Sequence, residues 1–445
     1  MEDMEHEHLE EGDLDLLLAV EAGEAWLRSL LHELAVCPEC YRVGGYILDL
    51  YQAGSLKIPF GPVDLALARS RAEAPALWQE LAGRALAEQR SLVQGDRRFA
   101  SWGLCELLCQ ESRELAANDG TQAVERVELA VLVADILEDG EPAEDRWIYQ
   151  LRGYAWAHLA NARRVLGDLT AADEAYQMAD SWWQAGEVVG DALGYGPVIL
   201  ELAASLRTAQ RRFPEALEIL DRVIGLYTED DPEHRDRHRA GRALLQKALA
   251  VSQMGAPESA IRYLRDARTM IDPEREPRLR FCLDHNLLAS LASAGRFREA
   301  ESFLPVVEQV CREVATDLDQ FRVRWVEGRI ATGLGERERA RTAFAEVRRE
   351  LTERGMGYDT ALVSLELAAL DLEEGRTAEV KELAREMVAV FRAQEVQREA
   401  LAALLLFRRA ALKEKATAEL ARDVADFLNR LRHDPDLRFE RRGNF

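Results

Sequence analysis

The stretch WAHLANARRVLGDLTAADEAYQMA, residues 156–179, decides the fold. It reads as two apolar helices joined by a turn. Trp156, Leu159 and Ala160 fall on one face of the first helix. Gly167 ends that helix, because glycine enters the left-handed backbone region without a Cβ penalty. Ala172, Tyr176 and Ala179 then share one face of a second helix. A small residue such as Ala172 lets two antiparallel helices come close. The shared face must be buried against another pair.

The pattern repeats. Gly167, Gly255, Gly295, Gly335 and Gly375 are each followed five residues later by Ala172, Ala260, Ala300, Ala340 and Val380. Tyr176, Leu264, Leu304, Phe344 and Ala384 come next, then Ala179, Ala267, Val307, Val347 and Met387. A sixth copy carries Arg211 in the glycine place, with Ala216, Leu220 and Val223 behind it. The step is 44 residues from Gly167 to Arg211 and to Gly255, then 40 at each later copy. A small residue stands seven positions before most turns: Ala160, Ala204, Ala248, Gly328 and Ala368, with Leu288 the exception. Each is expected to face the turn's alanine across the pair.

These features resemble the tetratricopeptide repeat family over roughly residues 100–432. The period exceeds that family's usual ~34 residues. Such longer helices look like those of bacterial regulatory repeats that sense peptides or partner proteins. The resemblance implies an all-α, right-handed solenoid of helix hairpins with period 40–44, preceded by a small N-terminal helical module. Weaker pairs flank it, Ser101–Ala117 with Ala123–Leu137 and Glu399–Leu412 with Ala416–Leu431. The expected organisation is a module over 1–60, a linker and bridging helices over 61–98, the array over 99–432 and a capping tail over 433–445.

Composition agrees with a folded, strand-poor chain. Hydrophobic residues make up 48% and charged residues 31%, and Leu, Ala, Glu and Arg dominate, all good helix formers. The net charge of −23 disfavours direct contact with nucleic acid or an acidic membrane and favours basic protein partners. An acidic N-terminus argues against a signal peptide, and no apolar run reaches the ~18 residues needed to span a bilayer. A cytoplasmic protein is expected. Six cysteines in 445 residues do not suggest a disulfide scaffold.

Residues 1–60 stand outside the repeat. His32, Cys37, Pro38, Glu39 and Cys40 form a compact His-Cys-Cys set, to which His8 or His6 adds a fourth ligand. Two cysteines separated by two residues can reach one tetrahedral Zn²⁺. The arrangement resembles the zinc-binding domain of bacterial anti-sigma factors, with one extra residue between His32 and Cys37. That resemblance implies a structural zinc on His8, His32, Cys37 and Cys40, and a sigma factor as partner. A metal-free pair of cysteines at a helix end is the plain alternative.

Other sets are weaker. His234 and His238, beside Glu233, are spaced to share a helix face, but their surroundings read as a charged helix start. Cys105 and Cys109 read as buried thiols. Cys282, His285 and Asn286 lie too close on one helix for a catalytic triad. No phosphate loop or zinc-protease motif occurs, and no enzymatic activity is expected.

The default binding surface is the groove lined by the first helix of each pair. Asn161, Arg164, Glu201, Ser205, Thr208, His285, Trp325, Arg329 and Thr332 are expected to face it, with Trp325 and Arg329 as anchors or, for Trp325, as inter-repeat core. Two functions follow. One is a regulator that sequesters a sigma factor through its N-terminal module while the array senses or binds a second protein or peptide. The other is a scaffold or sensor subunit of a bacterial stress or phage-defence assembly.

Overall fold

The computed structural model describes residues 62–116, 119–137, 142–186, 194–228, 236–393, 398–431 and 437. His6, His8, His32, Cys37, Cys40 and His234 lie outside these residues, as does the 433–445 tail apart from Leu437. Within them the chain is helical, without strands. Helices α1 (Pro62–Leu81), α2 (Leu86–Gly95), α3 (Trp102–Leu115), α4 (Gly120–Ile136), α5 (Pro142–Leu166) and α6 (Leu169–Gly186) are followed by α7 (Tyr195–Ala209), α8 (Phe213–Thr228) and α9 (Arg237–Gln253). Then come α10 (Pro257–Met270), α11 (Pro277–Ser293), α12 (Phe297–Val314), α13 (Asp317–Leu334), α14 (Arg337–Glu353), α15 (Gly357–Glu373), α16 (Thr377–Ala393), α17 (Arg398–Leu412) and α18 (Ala418–Leu431). The architecture is a solenoid of helix hairpins. It divides into two compact units, Met1–Leu206 and Arg207–Phe445, with the division inside α7.

The turns carry the repeat. Gly167, Gly255, Gly295, Gly335 and Gly375 all have positive φ, between 73° and 94°. Arg211 takes the same conformation at φ 59°, as does Glu414, at 56°, in the turn before α18. Each turn closes the same way. At Gly335 the amide bonds to the Thr332 carbonyl at 3.1 Å, and Glu336 reaches back to Ala331 at 2.9 Å. At Glu414 the partners are Ala411, at 3.0 Å, and, from Lys415, Ala410 at 2.9 Å. These paired bonds satisfy carbonyls that a helix end leaves orphaned.

In the first unit, α1 packs on α3 and α2 on α4. Leu104, Leu108, Val127, Leu129, Leu151 and Ala179 form part of one buried core. Cys105 and Cys109 lie within it as buried free thiols. The neighbouring Cys109 and burial push the Cys105 thiol far up, so it stays protonated.

In the second unit the positions four and seven after each turn's alanine are buried: Leu264, Ala267, Leu304, Val307, Phe344 and Val347 are all at most 4% exposed. Ion pairs link the starts of successive second helices. Glu258 pairs with Arg296 at 3.2 Å and Glu301 with Arg339 at 2.8 Å. Such partly exposed pairs contribute up to ~1 kcal/mol each. The small residue before the turn does a different job from the one expected at Gly328. A Cβ there would meet Cε1 and Cδ1 of Phe344 at 2.5 and 2.7 Å. Gly328 therefore makes room for the ring four residues beyond Ala340.

The last pair departs from the stack. Helix α17 packs on α16, as a first helix packs on the second helix before it. Helix α18 instead lies along α15. Its apolar face, Leu420, Ala421, Val424, Phe427, Leu428 and Leu431, is buried in the core shared with α15 and α17. Tyr358 at the start of α15 donates its hydroxyl to the Leu428 carbonyl at 2.6 Å, and Glu373 at the end of α15 pairs with Arg422. The two helices thus run antiparallel.

Candidate functional site

A cavity of about 1450 Å³ opens in the second unit. Its walls come from the ends of alternate helices: Ser252 and Gln253 of α9, Ala292 and Ser293 of α11, Arg329 and Thr332 of α13, and Glu366 and Leu370 of α15. This is the first-helix groove. Phe297, the first residue of α12, adds an aromatic face. Helix α18 closes the far side with Arg422, Asp423, Asp426 and Arg430.

The charges are arranged unequally. Arg329 donates through Nε to Glu366 at 2.8 Å, and Arg422 is paired with Glu373. Asp423 and Asp426 have no ion pair or hydrogen bond among the described residues. Burial, and then the neighbouring Asp423, raise the Asp426 carboxyl above its usual range. Arg430 and Arg329 act in the opposite direction and do not cancel the rise.

The nine residues expected in the groove are dispersed. Arg329 and Thr332 line the cavity. Thr332 donates its hydroxyl to the Gly328 carbonyl at 2.9 Å. Trp325 packs partly buried against the α15–α18 core and does not line the cavity. The Arg329 guanidinium lies 5.3 Å from its ring centroid, and its Nε1 is buried without an acceptor among the described residues. His285 is also in the packing, with Nε2 buried and unpartnered among the described residues. Burial lowers His285 to about 4, so its ring is neutral at pH 7. Thr208 is half-buried at the end of α7.

The first unit holds Asn161, Arg164, Glu201 and Ser205. Asn161 is buried and accepts from Arg164 Nη2 at 2.9 Å. Glu201 is buried, and Ser205 Oγ donates to the Glu201 backbone carbonyl at 3.1 Å. In the same unit a polar chain runs from the surface into partly buried ground. Arg71 holds Glu106 at 2.6 and 2.7 Å, the Tyr195 hydroxyl donates to Glu106, and Trp102 Nε1 donates to Tyr195 at 2.8 Å. This chain ties α1, α3 and α7 together.

Among the described residues, the side chains of the Cys282, His285 and Asn286 set and of His238 are held by their surroundings. Burial pushes the Cys282 thiol up while it pushes His285 down. A thiolate–imidazolium pair needs both shifts reversed. Asn286 donates to the Cys282 backbone carbonyl at 2.7 Å. His238 accepts the Asp272 amide at Nδ1, 3.1 Å away, and its Nε2 lies 3.1 Å from Glu276. Both ring nitrogens of His238 are therefore engaged. Among the described residues, no three His, Cys, Asp or Glu side chains are grouped to hold a metal, and no helix is long and apolar enough to cross a membrane.

Sequence reasoning did not single out the α18 acids, Glu366 or Phe297. The strongly one-sided apolar pattern of α18 signals a buried face but not which helix covers it.

The sequence matches no family model. No curated protein matches it either. Solved structures match by shape. A crystal structure of a Rap protein complexed with Competence and Sporulation Factor aligns at TM-score 0.54 and 12% identity, over 75% of this chain and 89% of that one. Aspartyl phosphate phosphatase F from Bacillus subtilis aligns at TM-score 0.46 and 12% identity, over 87% of this chain and 100% of that one. A Podospora anserina putative kinesin light chain with tetratricopeptide-like repeats aligns at TM-score 0.34 and 18% identity, over 47% of this chain and 94% of that one. The first of these supports the tetratricopeptide-like fold.

Proposed function

We propose that this chain is a cytosolic protein-interaction protein whose second unit holds a peptide or a partner helix bearing a basic residue. The observation that carries this reading is the pair Asp423 and Asp426, without a hydrogen bond or ion pair among the described residues, facing a cavity of about 1450 Å³. Arg329 and Arg422 already have carboxylate partners. A guest therefore gains most by presenting Lys or Arg to α18. Phe297 offers an apolar contact beside it. The similar Rap protein was crystallised in complex with Competence and Sporulation Factor, which supports a binding role.

The test is fluorescence anisotropy with a panel of labelled basic, neutral and acidic peptides on the full chain. Basic peptides should bind best, and the double variant Asp423→Asn, Asp426→Asn should weaken them at least tenfold. Equal binding of acidic peptides, or an unchanged double variant, sinks the reading.

The N-terminal set gives the finer proposal. His8, His32, Cys37 and Cys40 would hold a structural zinc, and this module would bind a sigma factor while the array takes a second partner. Its support is the motif and the acidic residues around it. Metal analysis of the full chain should find near one equivalent of zinc, lost in Cys37→Ser, Cys40→Ser. A chain that captures its partners with residues 1–60 deleted would favour the scaffold role in a stress or phage-defence assembly.

A further inference from the structure

A second crevice, of about 520 Å³, lies between α10 and α12 with α11 as its floor. Arg265 and Arg268 of α10, Arg280 of α11, and Glu299 and Phe303 of α12 line it. Its floor, Leu287 and Leu291, is apolar.

The organising residue is Asp284. Its side chain is fully buried, at 0% exposure, in the middle of α11. One carboxylate oxygen accepts from Arg268 Nε at 2.9 Å and the other from Arg280 Nε at 2.8 Å. Both guanidiniums are thus held through their inner nitrogen. Neither makes another hydrogen bond among the described residues, so their terminal nitrogens remain available at the crevice. Phe303 supports one of them, with its ring centroid 5.3 Å from Arg268 Cζ. The third guanidinium, Arg265, is paired with Glu299, a carboxylate that Arg296 also shares. Three guanidiniums thus face one carboxylate on the crevice wall and one beneath it. In a chain of net charge −23 this is a locally positive site.

We propose that this crevice binds a phosphate monoester or free phosphate, its oxygens taken by the terminal nitrogens of Arg268 and Arg280 and by Arg265. Planar, pre-oriented guanidinium forks suit tetrahedral oxyanions. A buried carboxylate that fixes two of them in advance lowers the entropy lost on binding. The volume exceeds that of phosphate alone and falls within the size of small-molecule sites. The apolar floor would receive the organic part of a monoester.

Calorimetric titration of the full chain with inorganic phosphate, O-phosphoserine and phenyl phosphate tests this, with acetate as the carboxylate control. Phosphate compounds should bind and acetate should not. Tighter binding of phenyl phosphate than of phosphate assigns an organic monoester, and the reverse assigns the free ion. Arg280→Gln and Arg268→Gln should each lower affinity at least tenfold. Arg265→Gln disturbs no buried group and should lower it severalfold, so the test survives misfolding of the other two. Arg349→Gln, on α14, should change nothing. The proposal is overturned by no binding, by acetate binding as well as phosphate, or by equal losses in the Arg349 variant.

Discussion

Two buried histidines set a pH dependence that single residues can reveal. His158 lies in the core of the first unit, and burial, with Arg113 nearby, lowers it to about 3. His285 in the second unit is lowered to about 4, again by burial. Each ring binds a proton in the unfolded chain near pH 6.5 but not in the folded one. The stability they contribute is complete above pH 6.5 and is lost as pH falls toward the folded values. At pH 5 each costs about 2 kcal/mol relative to pH 7. Urea melts of His158→Phe should lose that fraction of the first unit's pH dependence between 7 and 5. Asp319 sets a lower limit. Burial would raise it, but Arg278 and Thr316 outweigh this and hold it at about 2, so it stays ionised throughout that window. A second residue prediction concerns Arg211, whose φ of 59° strains a side chain. Arg211→Gly should stabilise the protein by about 1 kcal/mol, since the left-handed region costs other residues roughly 1–2. Scanning calorimetry should show a melting temperature about 2–4 °C higher.

At the scale of the element, close packing between paired helices explains which turn-flanking residues are small. Gly328→Ala should destabilise the second unit by about 1–3 kcal/mol, because the Phe344 ring occupies the space a Cβ needs. Denaturant melts would read this as a lower midpoint with an unchanged slope, and an unchanged midpoint would refute it. The sequence made the helix pairs legible because glycine at a turn and alanine five residues on are chemically constrained. The closing pair was legible only as a weaker copy, because Glu414 takes the turn conformation without being glycine. The sequence hid the site. Asp423 and Asp426 stand on the polar side of an amphipathic helix and read as solvated. They face a cavity because α18 leaves the stack and lies along α15. That choice depends on contacts between residues 70 apart, such as Tyr358 with Leu428.

At the scale of the whole molecule, the excess of 80 acids over 57 bases makes long-range attraction part of recognition. Capture of a basic partner should weaken roughly tenfold as ionic strength rises from about 50 to 500 mM, mostly through slower association. Stopped-flow measurements would separate the two rates, and a salt-dependent dissociation rate alone would count against electrostatic steering. The inward turn of α18 carries one more consequence, for how such a chain lengthens in evolution. Repeat arrays grow by duplicating hairpins, and a new hairpin needs a bare helical flank on which to dock. The flank of α15 is closed to such docking, because α18 already lies on it, so a duplicated hairpin would have to seat on another helix pair of the array.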